Sequence, residues 1–427
     1  MSTLIAHKST LKGRVVIPAS KSHTIRAVAI ASLADGRSII RNPLVSDDAL
    51  SAVRCYSALG ARIDTSDDVK WIVDGTGGRL TPPKDVIDVG NSGTTLRMAI
   101  GSASLAPAGQ TTGFTGDRQI RTRPVGPLMD ALNDLGARCT SANNNGKAPV
   151  RIQGTMRGGR TTIAATTSQY LSSLLLCAPL AQEDTHVEVT VLNEPGYVQM
   201  TLDWLDKQQI QYANADFDQF DIRGRQRYRP FDEPVPADFS SATFFLCAAA
   251  LFGEEVELLG LDFSDSQPDK EVVDYLKAMG AEIAAGPESV TIRKAPLIGT
   301  EINMNRTPDA LPAMAVAAAF AEGTTTIRNV AQARSKETDR IACMAKELKK
   351  MQVAVEELPD GLIIRGGSIR PASLHGWSDH RIVMALAVAG LGLDGPCRID
   401  TAEAMSITFP GYVELMEELG ARMELIK

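Results

Sequence analysis

The sequence predicts an α/β protein with two domains and six repeated strand–helix units. Three observations carry this prediction: the length of 427 residues, a hydroxyl-rich segment leading into an apolar helix that occurs six times, and a Leu-Gly-Ala turn with the same period. A chain of this length exceeds what one hydrophobic core usually supports, so two domains are expected.

The first recurring segment is PASKSHTIRAVAIASLADG, at residues 18–36. Five later segments repeat its design, starting at Val89, Thr166, Asp238, Thr307 and Ser378. Their helices are apolar on nearly every side, which a solvent-facing helix would not be. We therefore expect three such helices in each domain to form a core covered by sheets and amphipathic helices.

The second recurring segment is an amphipathic helix that ends in Leu-Gly-Ala, or a degraded form of it, before an alternating strand. Its turns lie at Gly60, Gly136, Gln209, Gly280, Gln352 and Gly420. The spacing of about seventy residues defines six units. In each, the order is strand, apolar helix, strand, amphipathic helix and strand. Ser46 is the predicted N-cap of the first amphipathic helix.

We expect one domain at residues 20–234 and a second formed by residues 1–19 and 235–427. The proline-rich passage RYRPFDEPVPADFSS lies between units three and four and is predicted to be one crossover. The early strand GRVVIPA precedes the first complete unit, so it is expected to pair with the later units. The two crossovers, near 19–20 and 234–238, are predicted to form a hinge.

The composition excludes several classes of function. A net charge of −7 argues against nucleic acid as a bulk partner, although a local basic site stays compatible with it. No uncharged apolar run reaches the ~20 residues of a membrane span, and the start lacks signal-peptide features, so a cytoplasmic protein is expected. Six scattered cysteines without a CxxC pair, and histidines without ligand spacing, favour buried thiols over disulfides or zinc.

The starts of the apolar helices carry the candidate functional residues. An enclosed helix leaves its first N–H groups unpaired, and together with the helix dipole they attract anions. Most hydroxyl and acidic residues there are ordinary caps, which we expect for Ser240 and Ser241. The other polar residues at these starts are Ser22, Asn91, Ser92, Gly93, Thr94, Thr167, Ser168, Gln169, Asp309, Asp379 and His380.

Four cations at these helix starts are not explained by capping. Lys21, Arg26, Arg97 and Arg381 lie at the end of the dipole that disfavours positive charge, where an anion must compensate them. If the helix starts of each domain point to one face and the two faces meet, they form a cleft for a strongly anionic small molecule.

Two loops add charged candidates. One contains Arg118, Arg121 and Arg123, of which the first two are expected on a solvated face. The other packs together Arg334, Lys336, Glu337, Asp339 and Arg340. Beside a basic cleft, Lys336 with Glu337 is the best candidate for acid–base chemistry.

Eight motifs, in order and in register along the whole chain, resemble the enolpyruvyl transferase family: PASKSHTIRA, VGNSGTTLR, RTRPVGPL, TTSQ, PDALPAMAVAAAFAEG, RSKETDRI, SDHRIVMALAVAG and TFPGY. The resemblance implies a two-lobed inverse α/β fold with three βαβαββ units in each lobe. The sister transferase that uses UDP-N-acetylglucosamine lacks the NSGTxxR and KExDR patterns, so the resemblance favours the shikimate branch.

The implied activity is that of a transferase of alkyl or aryl groups in the shikimate pathway, which leads to chorismate and the aromatic amino acids. It moves the enolpyruvyl group of phosphoenolpyruvate to the 5-hydroxyl of shikimate 3-phosphate and releases phosphate, without metal or organic cofactor. The implied partners are these two substrates, and a monomer is expected. Two alternatives stay open: transfer to another anionic hydroxylated acceptor, and a non-catalytic anion-binding homologue.

The resemblance also implies roles for individual residues. Asp309 deprotonates the attacking hydroxyl, Glu337 exchanges a proton with C3 of the enol, and Lys21 contacts both substrates. The implied shikimate 3-phosphate ligands are Lys21, Ser22, Arg26, Thr167, Ser168, Gln169, Asp309, Gln332 and Lys336. The implied phosphoenolpyruvate ligands are Lys21, Gly93, Arg123, Gln169, Arg340 and Arg381. The implied supporting residues are Asn91, Thr94, Arg97, Tyr197, Asp379 and His380.

Four positions depart from the family pattern. Ile407 stands where a lysine is usual, so one phosphoenolpyruvate contact is missing or comes from another residue such as Lys12. Thr167 replaces the commoner serine and keeps the hydroxyl, and the first motif is PASKSHT instead of PGDKS. Glu194 stands where a phosphate-binding serine is common, and a carboxylate there would repel phosphate.

Overall fold

The structure, a computed structural model, describes residues 2–427, which divide into two compact units. The terminal unit contains residues 2–18 and Pro236–Lys427, and the central unit contains Ala19–Val235. Each unit has its own hydrophobic core. Within the described residues, no helix has the length and apolar character needed to cross a membrane.

The strands are short and spread along the whole chain. They are β1 (Thr3–His7), β2 (Leu11–Val16), β3 (Arg37–Arg41), β4 (Arg62–Asp64), β5 (Lys70–Asp74), β6 (Ile87–Asp88), β7 (Thr111–Thr115), β8 (Arg138–Ser141), β9 (Val150–Gln153), β10 (Gly159–Ala165), β11 (Thr185–Leu192), β12 (Tyr212–Ala215), β13 (Gln219–Ile222), β14 (Asp232–Pro234), β15 (Gly253–Leu259), β16 (Glu282–Ala285), β17 (Ser289–Arg293), β18 (Glu301–Asn303), β19 (Thr324–Arg328), β20 (Ala354–Leu358), β21 (Gly361–Arg365), β22 (Ser373–Leu374), β23 (Cys397–Ile399) and β24 (Arg422–Ile426).

The α-helices alternate between an apolar and an amphipathic type. They are α1 (Lys21–Leu33), α2 (Asp47–Ala58), α3 (Gly93–Ala103), α4 (Gly126–Asp134), α5 (Ser168–Cys177), α6 (Pro195–Lys207), α7 (Phe239–Phe252), α8 (Val272–Ala278), α9 (Leu311–Phe320), α10 (Arg340–Lys350), α11 (His380–Gly390) and α12 (Tyr412–Glu418). The predicted cap of α2 is confirmed, because Ser46 Oγ accepts a hydrogen bond from the Ala49 N–H at 3.4 Å.

All sheets share one pairing pattern, a parallel pair extended by two antiparallel strands. The central unit contains the sheets β14-β3-β5-β4, β6-β7-β9-β8 and β10-β11-β13-β12. The terminal unit contains β2-β15-β17-β16, β18-β19-β21-β20 and β22-β23-β1-β24. An apolar helix connects the parallel pairs β6/β7, β10/β11, β18/β19 and β22/β23, as a parallel crossover requires.

Strands distant in sequence complete two sheets of the terminal unit and one of the central unit. β2 pairs in parallel with β15, as predicted for the early strand, and β1 lies between β23 and β24. In the central unit, β14 pairs in parallel with β3. Each unit is therefore closed by pairing between its chain ends.

The apolar helices form the interiors of the units, as their sequences predict. In the central unit nearly every side chain of α1, α3 and α5 is buried. In the terminal unit the same holds for α7, α9 and α11. Polar residues are concentrated at the starts of α1, α3, α5 and α11, although Ser32, Ser102 and Ser173 are buried further along these helices.

The recurring turn after each amphipathic helix has one backbone conformation. Its glycines have φ values from 92° at Gly420 to 112° at Gly60. The two positions with the degraded motif, Gln209 and Gln352, have φ values of 58° and 66°. A left-handed conformation costs a residue with a side chain about 1–2 kcal/mol. The left-handed conformation is therefore retained at Gln209 and Gln352, where the sequence has no glycine.

All six cysteines are buried and unpaired with one another. Burial raises the pKa of the Cys55, Cys139, Cys177 and Cys343 thiols to about 12. These thiols are therefore protonated and poor nucleophiles at neutral pH, as expected for side chains that fill a core.

Helices α3 and α5 pack closely against each other at Gly101. A Cβ atom there would lie 2.3 Å from Ser173 Oγ and 3.0 Å from the Ser173 carbonyl oxygen. We predict that Gly101→Ala lowers the free energy of unfolding by about 2 kcal/mol because the helices must separate. The matched control is Gly411→Ala, where a Cβ meets nothing within 4 Å. Equal unfolding midpoints for the two variants in urea denaturation would contradict the prediction.

Candidate active site

The start of α1 holds a lysine against a buried carboxylate. Ser20 caps the helix, and Lys21 follows as its first residue. Lys21 Nζ lies 3.3 Å from Asp48 Oδ2, with 15% of the lysine side chain and 6% of the aspartate side chain exposed. Asp48 belongs to the first turn of α2, for which the sequence pattern predicts only the cap Ser46. It is therefore a candidate site residue that the pattern does not identify.

Arg26 is buried among the helices of the central unit. Its Nε donates to Thr201 Oγ1 at 2.9 Å, Nη1 to the Ser22 carbonyl at 3.0 Å and Nη2 to the Tyr197 carbonyl at 2.8 Å. Burial lowers its pKa to about 10, opposed by the nearby Tyr197 and Asp203. The side chain remains charged at neutral pH and braces α1 against α6.

Two arginines converge at the start of α3. A Cβ atom on Gly93 would lie 2.7 Å from Nη1 of both Arg97 and Arg123. Both arginine side chains are almost fully buried. Only glycine therefore leaves room for two guanidinium groups beside the first turn of this helix. We call Gly93, Arg97 and Arg123 the arginine pair site.

Gln169 connects the starts of α3 and α5. Its Oε1 accepts from Arg97 Nη1 at 2.8 Å, and its Nε2 donates to Thr94 Oγ1 at 3.2 Å. Arg97 also stacks over Tyr170, with 5.7 Å from Cζ to the ring centroid. The predicted residues Gly93, Thr94, Arg97, Arg123 and Gln169 therefore lie together.

Asn91 lies just before this site and orders the neighbouring loop. Its Nδ2 donates to Asp117 Oδ2 at 2.6 Å and to Gln119 Oε1 at 2.5 Å. In the same loop Arg118 and Arg121 are exposed, as predicted, whereas Arg123 is buried.

A carboxylate of the chain lies at the start of α5. Ser168 Oγ donates to Glu194 Oε2 at 2.7 Å, and the Ser168 N–H donates to the same atom at 3.2 Å. Thr167 Oγ1 donates to it at 3.4 Å. Glu194 is only 1% exposed. The two hydroxyl residues predicted to bind phosphate therefore already bind an anionic group.

In the terminal unit one arginine joins three acidic residues. Arg340 Nη1 donates to Asp309 Oδ1 at 2.7 Å, Nε to Asp379 Oδ2 at 2.8 Å, and Nη2 to Glu337. Only 1% of the Arg340 side chain is exposed. Burial alone would lower the Arg340 pKa, but the charges of Asp379, Glu337 and Asp309 raise it above its ordinary value.

Asp309 contacts three basic side chains of the terminal unit. Besides Arg340, Lys336 Nζ lies 3.6 Å from Asp309 Oδ1, and Arg381 Nη2 lies 3.2 Å from Asp309 Oδ2. We call the set of Asp309, Lys336, Glu337, Arg340, Asp379 and Arg381 the carboxylate cluster. Its three acidic and three basic side chains balance in formal charge.

Asp379 positions both arginines of this cluster. As the N-cap of α11, it accepts from the Arg381 N–H at 2.9 Å, and it accepts from Thr338 Oγ1 at 3.1 Å. His380 is the first residue of α11 and is buried beside it. Gln332 is also buried, and its Nε2 donates to the Asn305 carbonyl at 2.9 Å.

The expectation that Ser240 is only a helix cap is wrong. Arg381 Nη2 donates to Ser240 Oγ at 2.8 Å, which brings Ser240 to the edge of the carboxylate cluster. The two residues are 141 positions apart, so no local pattern in the sequence signals the contact. Ser241 does act locally, because its N–H and Oγ both donate to the cap residue Asp238.

Lys12 does not replace the missing lysine at Ile407. It is exposed on β2, and its Nζ lies 3.9 Å from Glu254, beyond the last residue of α7. Arg381 contacts Ser240 at the first turn of the same helix. A helix of 14 residues is about 21 Å long, so Lys12 is at the opposite end from the carboxylate cluster.

A cavity of about 910 Å³ lies away from these residues. Its lining includes Arg223, Arg225, Arg227 and Arg229. Tyr228 in the same lining donates to the Leu176 carbonyl, at the end of α5 opposite to Ser168. Over residues 2–427, no three His, Cys, Asp or Glu side chains are arranged to hold a metal ion.

Comparison with known proteins places this fold in a class. A solved structure of EPSP synthase from Acinetobacter baumannii superposes with a TM-score of 0.84 and 26% identity over 100% of both chains. The enolpyruvyl transferase NikO from Streptomyces tendae matches with a TM-score of 0.79 and 20% identity, over 99% of this chain and 98% of that chain. The fold is that of the enolpyruvyl transferases.

The sequence comparisons define the family. The family model of EPSP synthase (3-phosphoshikimate 1-carboxyvinyltransferase) matches residues 5–416. A 3-phosphoshikimate 1-carboxyvinyltransferase from Acetivibrio thermocellus is 54% identical over 418 residues, covering 98% of each chain. One from Methanocella arvoryzae is 44% identical, covering 98% of this chain and 99% of the relative. This chain therefore belongs to the EPSP synthase family.

The carboxylate cluster predicts a large stability cost at Asp379. We expect Asp379→Asn to lower the free energy of unfolding by about 3–5 kcal/mol, because it removes the charge of a buried partner of Arg340. The control is Asp74→Asn at the exposed pair with Arg37, for which little change is expected. Urea denaturation followed by circular dichroism measures both, and a similar small shift for both variants would refute the prediction.

Proposed function

We propose that this protein transfers the enolpyruvyl group of phosphoenolpyruvate to the 5-hydroxyl of shikimate 3-phosphate and releases phosphate. The observation that carries the proposal is the family match along nearly the whole chain, with relatives named 3-phosphoshikimate 1-carboxyvinyltransferase at 54% and 44% identity. The grouping of the candidate residues within each unit supports it. The monomeric, cytoplasmic state expected from the sequence stays a prediction.

We assign shikimate 3-phosphate mainly to the central unit. Thr167 and Ser168 offer hydroxyls and a helix start to its 3-phosphate, and Lys21, Ser22 and Gln169 add polar groups at neighbouring helix starts. Arg26 acts in this assignment by holding the Ser22 and Tyr197 backbones. Lys336 and Gln332 of the terminal unit complete the proposed ligand set.

We assign phosphoenolpyruvate to guanidinium groups. The arginine pair site supplies Gly93 and Arg123 at the first turn of α3, with Arg97 beside them as a supporting residue. Arg340 and Arg381 of the carboxylate cluster are the further candidates. Guanidinium forks bind phosphate and carboxylate oxygens in pairs, and phosphoenolpyruvate carries both groups.

Asp309 and Glu337 are the proposed proton carriers. In the addition step the hydroxyl oxygen attacks C2 of phosphoenolpyruvate, its proton passes to Asp309, and Glu337 gives a proton to C3. In the elimination step Glu337 takes a proton from C3, the C2–C3 double bond re-forms, the bond from C2 to the phosphate oxygen breaks, and the proton held by Asp309 passes to the departing phosphate. Because Arg340 donates to both carboxylates, one guanidinium fixes the distance between the two groups.

The cations around Asp309 are shared, in this proposal, between the carboxylate and the substrates. Lys336 and Arg381 both lie close to its oxygens. Substrate anions that accept hydrogen bonds from Lys336 and Arg381 compete with Asp309 for these cations.

The activity is tested by measuring phosphate release from phosphoenolpyruvate with the purified protein. We expect release with shikimate 3-phosphate and none without it. Release only with another hydroxylated anion would support the alternative acceptor. No release with any acceptor would favour a non-catalytic anion-binding protein.

We predict that Glu337→Gln lowers kcat about 10²–10⁴-fold while the KM of each substrate changes little, because it removes a proton carrier and keeps the shape. Glu356→Gln, at an exposed position of β20, is the control. A kcat equal to that of the control would remove Glu337 from the proton transfers.

A further inference from the structure

Glu194 occupies a position that the proposed chemistry does not use. Its carboxylate oxygen Oε2 accepts three hydrogen bonds, from the Thr167 hydroxyl, the Ser168 hydroxyl and the Ser168 N–H. These donors lie at the start of α5, where the helix dipole favours an anion. The carboxylate therefore has the hydrogen-bond partners that a bound phosphate oxygen would have.

The backbone of Glu194 shows how the side chain reaches this place. Glu194 precedes Pro195 and is the N-cap residue of α6, with φ 59° and ψ 48° in the left-handed region. Its side chain forms no capping hydrogen bond to α6 and turns to α5 instead. A residue other than glycine keeps a left-handed backbone only where the surrounding structure holds it there, and such positions are often functional.

A carboxylate and a phosphate cannot share these donors without strong repulsion. Both are anions, both need the same hydroxyls and N–H group, and Glu194 and Ser168 are only 1% and 2% exposed, so water screens the repulsion little. Phosphate binding at this helix start must therefore displace the Glu194 carboxylate or bring the two charges into contact. Either event weakens binding.

We propose that Glu194 is an internal competitor for the phosphate site at the start of α5 and thereby sets the affinity of the enzyme for its phosphorylated acceptor. The inference rests on the proposed function in taking Thr167 and Ser168 as phosphate ligands. Glu194 is therefore a specificity-determining residue. It lowers the affinity of the site for anions that bind only at the start of α5, whereas an acceptor that also contacts other residues still binds.

The first test compares Glu194→Gln with the wild type in steady-state kinetics. Glutamine keeps the shape and an accepting oxygen but removes the charge, so it holds Ser168 less strongly. We expect the KM for shikimate 3-phosphate to fall about tenfold, with the KM for phosphoenolpyruvate and kcat within about twofold of wild type. Glu188→Gln, at an exposed position of β11, is the matched control.

A role limited to stabilising the α5 helix start predicts the opposite result. In that case Glu194→Gln lowers the melting temperature, and the KM for shikimate 3-phosphate stays the same or rises. That outcome overturns the inference and leaves the proposed function intact, because the wild type still turns over. Glu194→Ser serves as a second variant, with an expected KM below that of wild type, should the glutamine variant fold poorly.

The second test does not depend on turnover. Calorimetry measures inorganic phosphate binding to the wild type, to Glu194→Gln, and to Glu194→Gln combined with Ser168→Ala. Tighter binding in the single variant that is lost in the double variant supports the competition. Equal phosphate affinity in the wild type and the single variant overturns it. A wild type without enolpyruvyl transfer would refute the proposed function separately.

Discussion

The buried guanidinium of Arg340 is the group on which the organisation of the terminal unit site depends. It donates to Asp309, Glu337 and Asp379, which come from three different segments of the chain. A buried arginine without these partners would be strongly destabilising, and so would three neighbouring carboxylates without the arginine. The same interaction that stabilises the fold therefore sets the spacing of the two proposed proton carriers.

The same constraint recurs at the helix starts of the central unit. Cations and N–H groups placed there for anionic substrates need compensation within the protein. The chain supplies it with its own acidic residues, Asp48 at Lys21 and Glu194 at Ser168. Substrate binding in such sites is an exchange of one anion for another. The free energy of substrate binding therefore includes the cost of breaking the interactions of Asp48 with Lys21 and of Glu194 with Ser168.

The fold class could be predicted from the sequence, because the hydrophobic period and the recurring turns are local signals. Such patterns predict the apolar helices and the turn at Gly60. They also predict that β2 pairs with a strand from later in the chain, which is β15. The contact of Arg381 with Ser240 and that of Lys21 with Asp48 depend on which distant segments the fold brings together. The sequence identifies Glu194 as a departure from the family pattern, but its hydrogen bond with Ser168 depends on the left-handed backbone before Pro195, which no sequence pattern predicts.

The pairing of β1 with β23 and β24 has a consequence for synthesis on the ribosome. The central unit is one continuous stretch, complete in sequence once Val235 has been made. Leu4, in contrast, pairs with Ile399. At 5–20 residues per second, Ile399 is added to the chain roughly 20–80 s after Leu4. β1 is therefore without its partner strands until Ile399 has been made, and it is exposed to chaperones and to aggregation during that time, whereas β2 gains its partner β15 once Leu259 has been made.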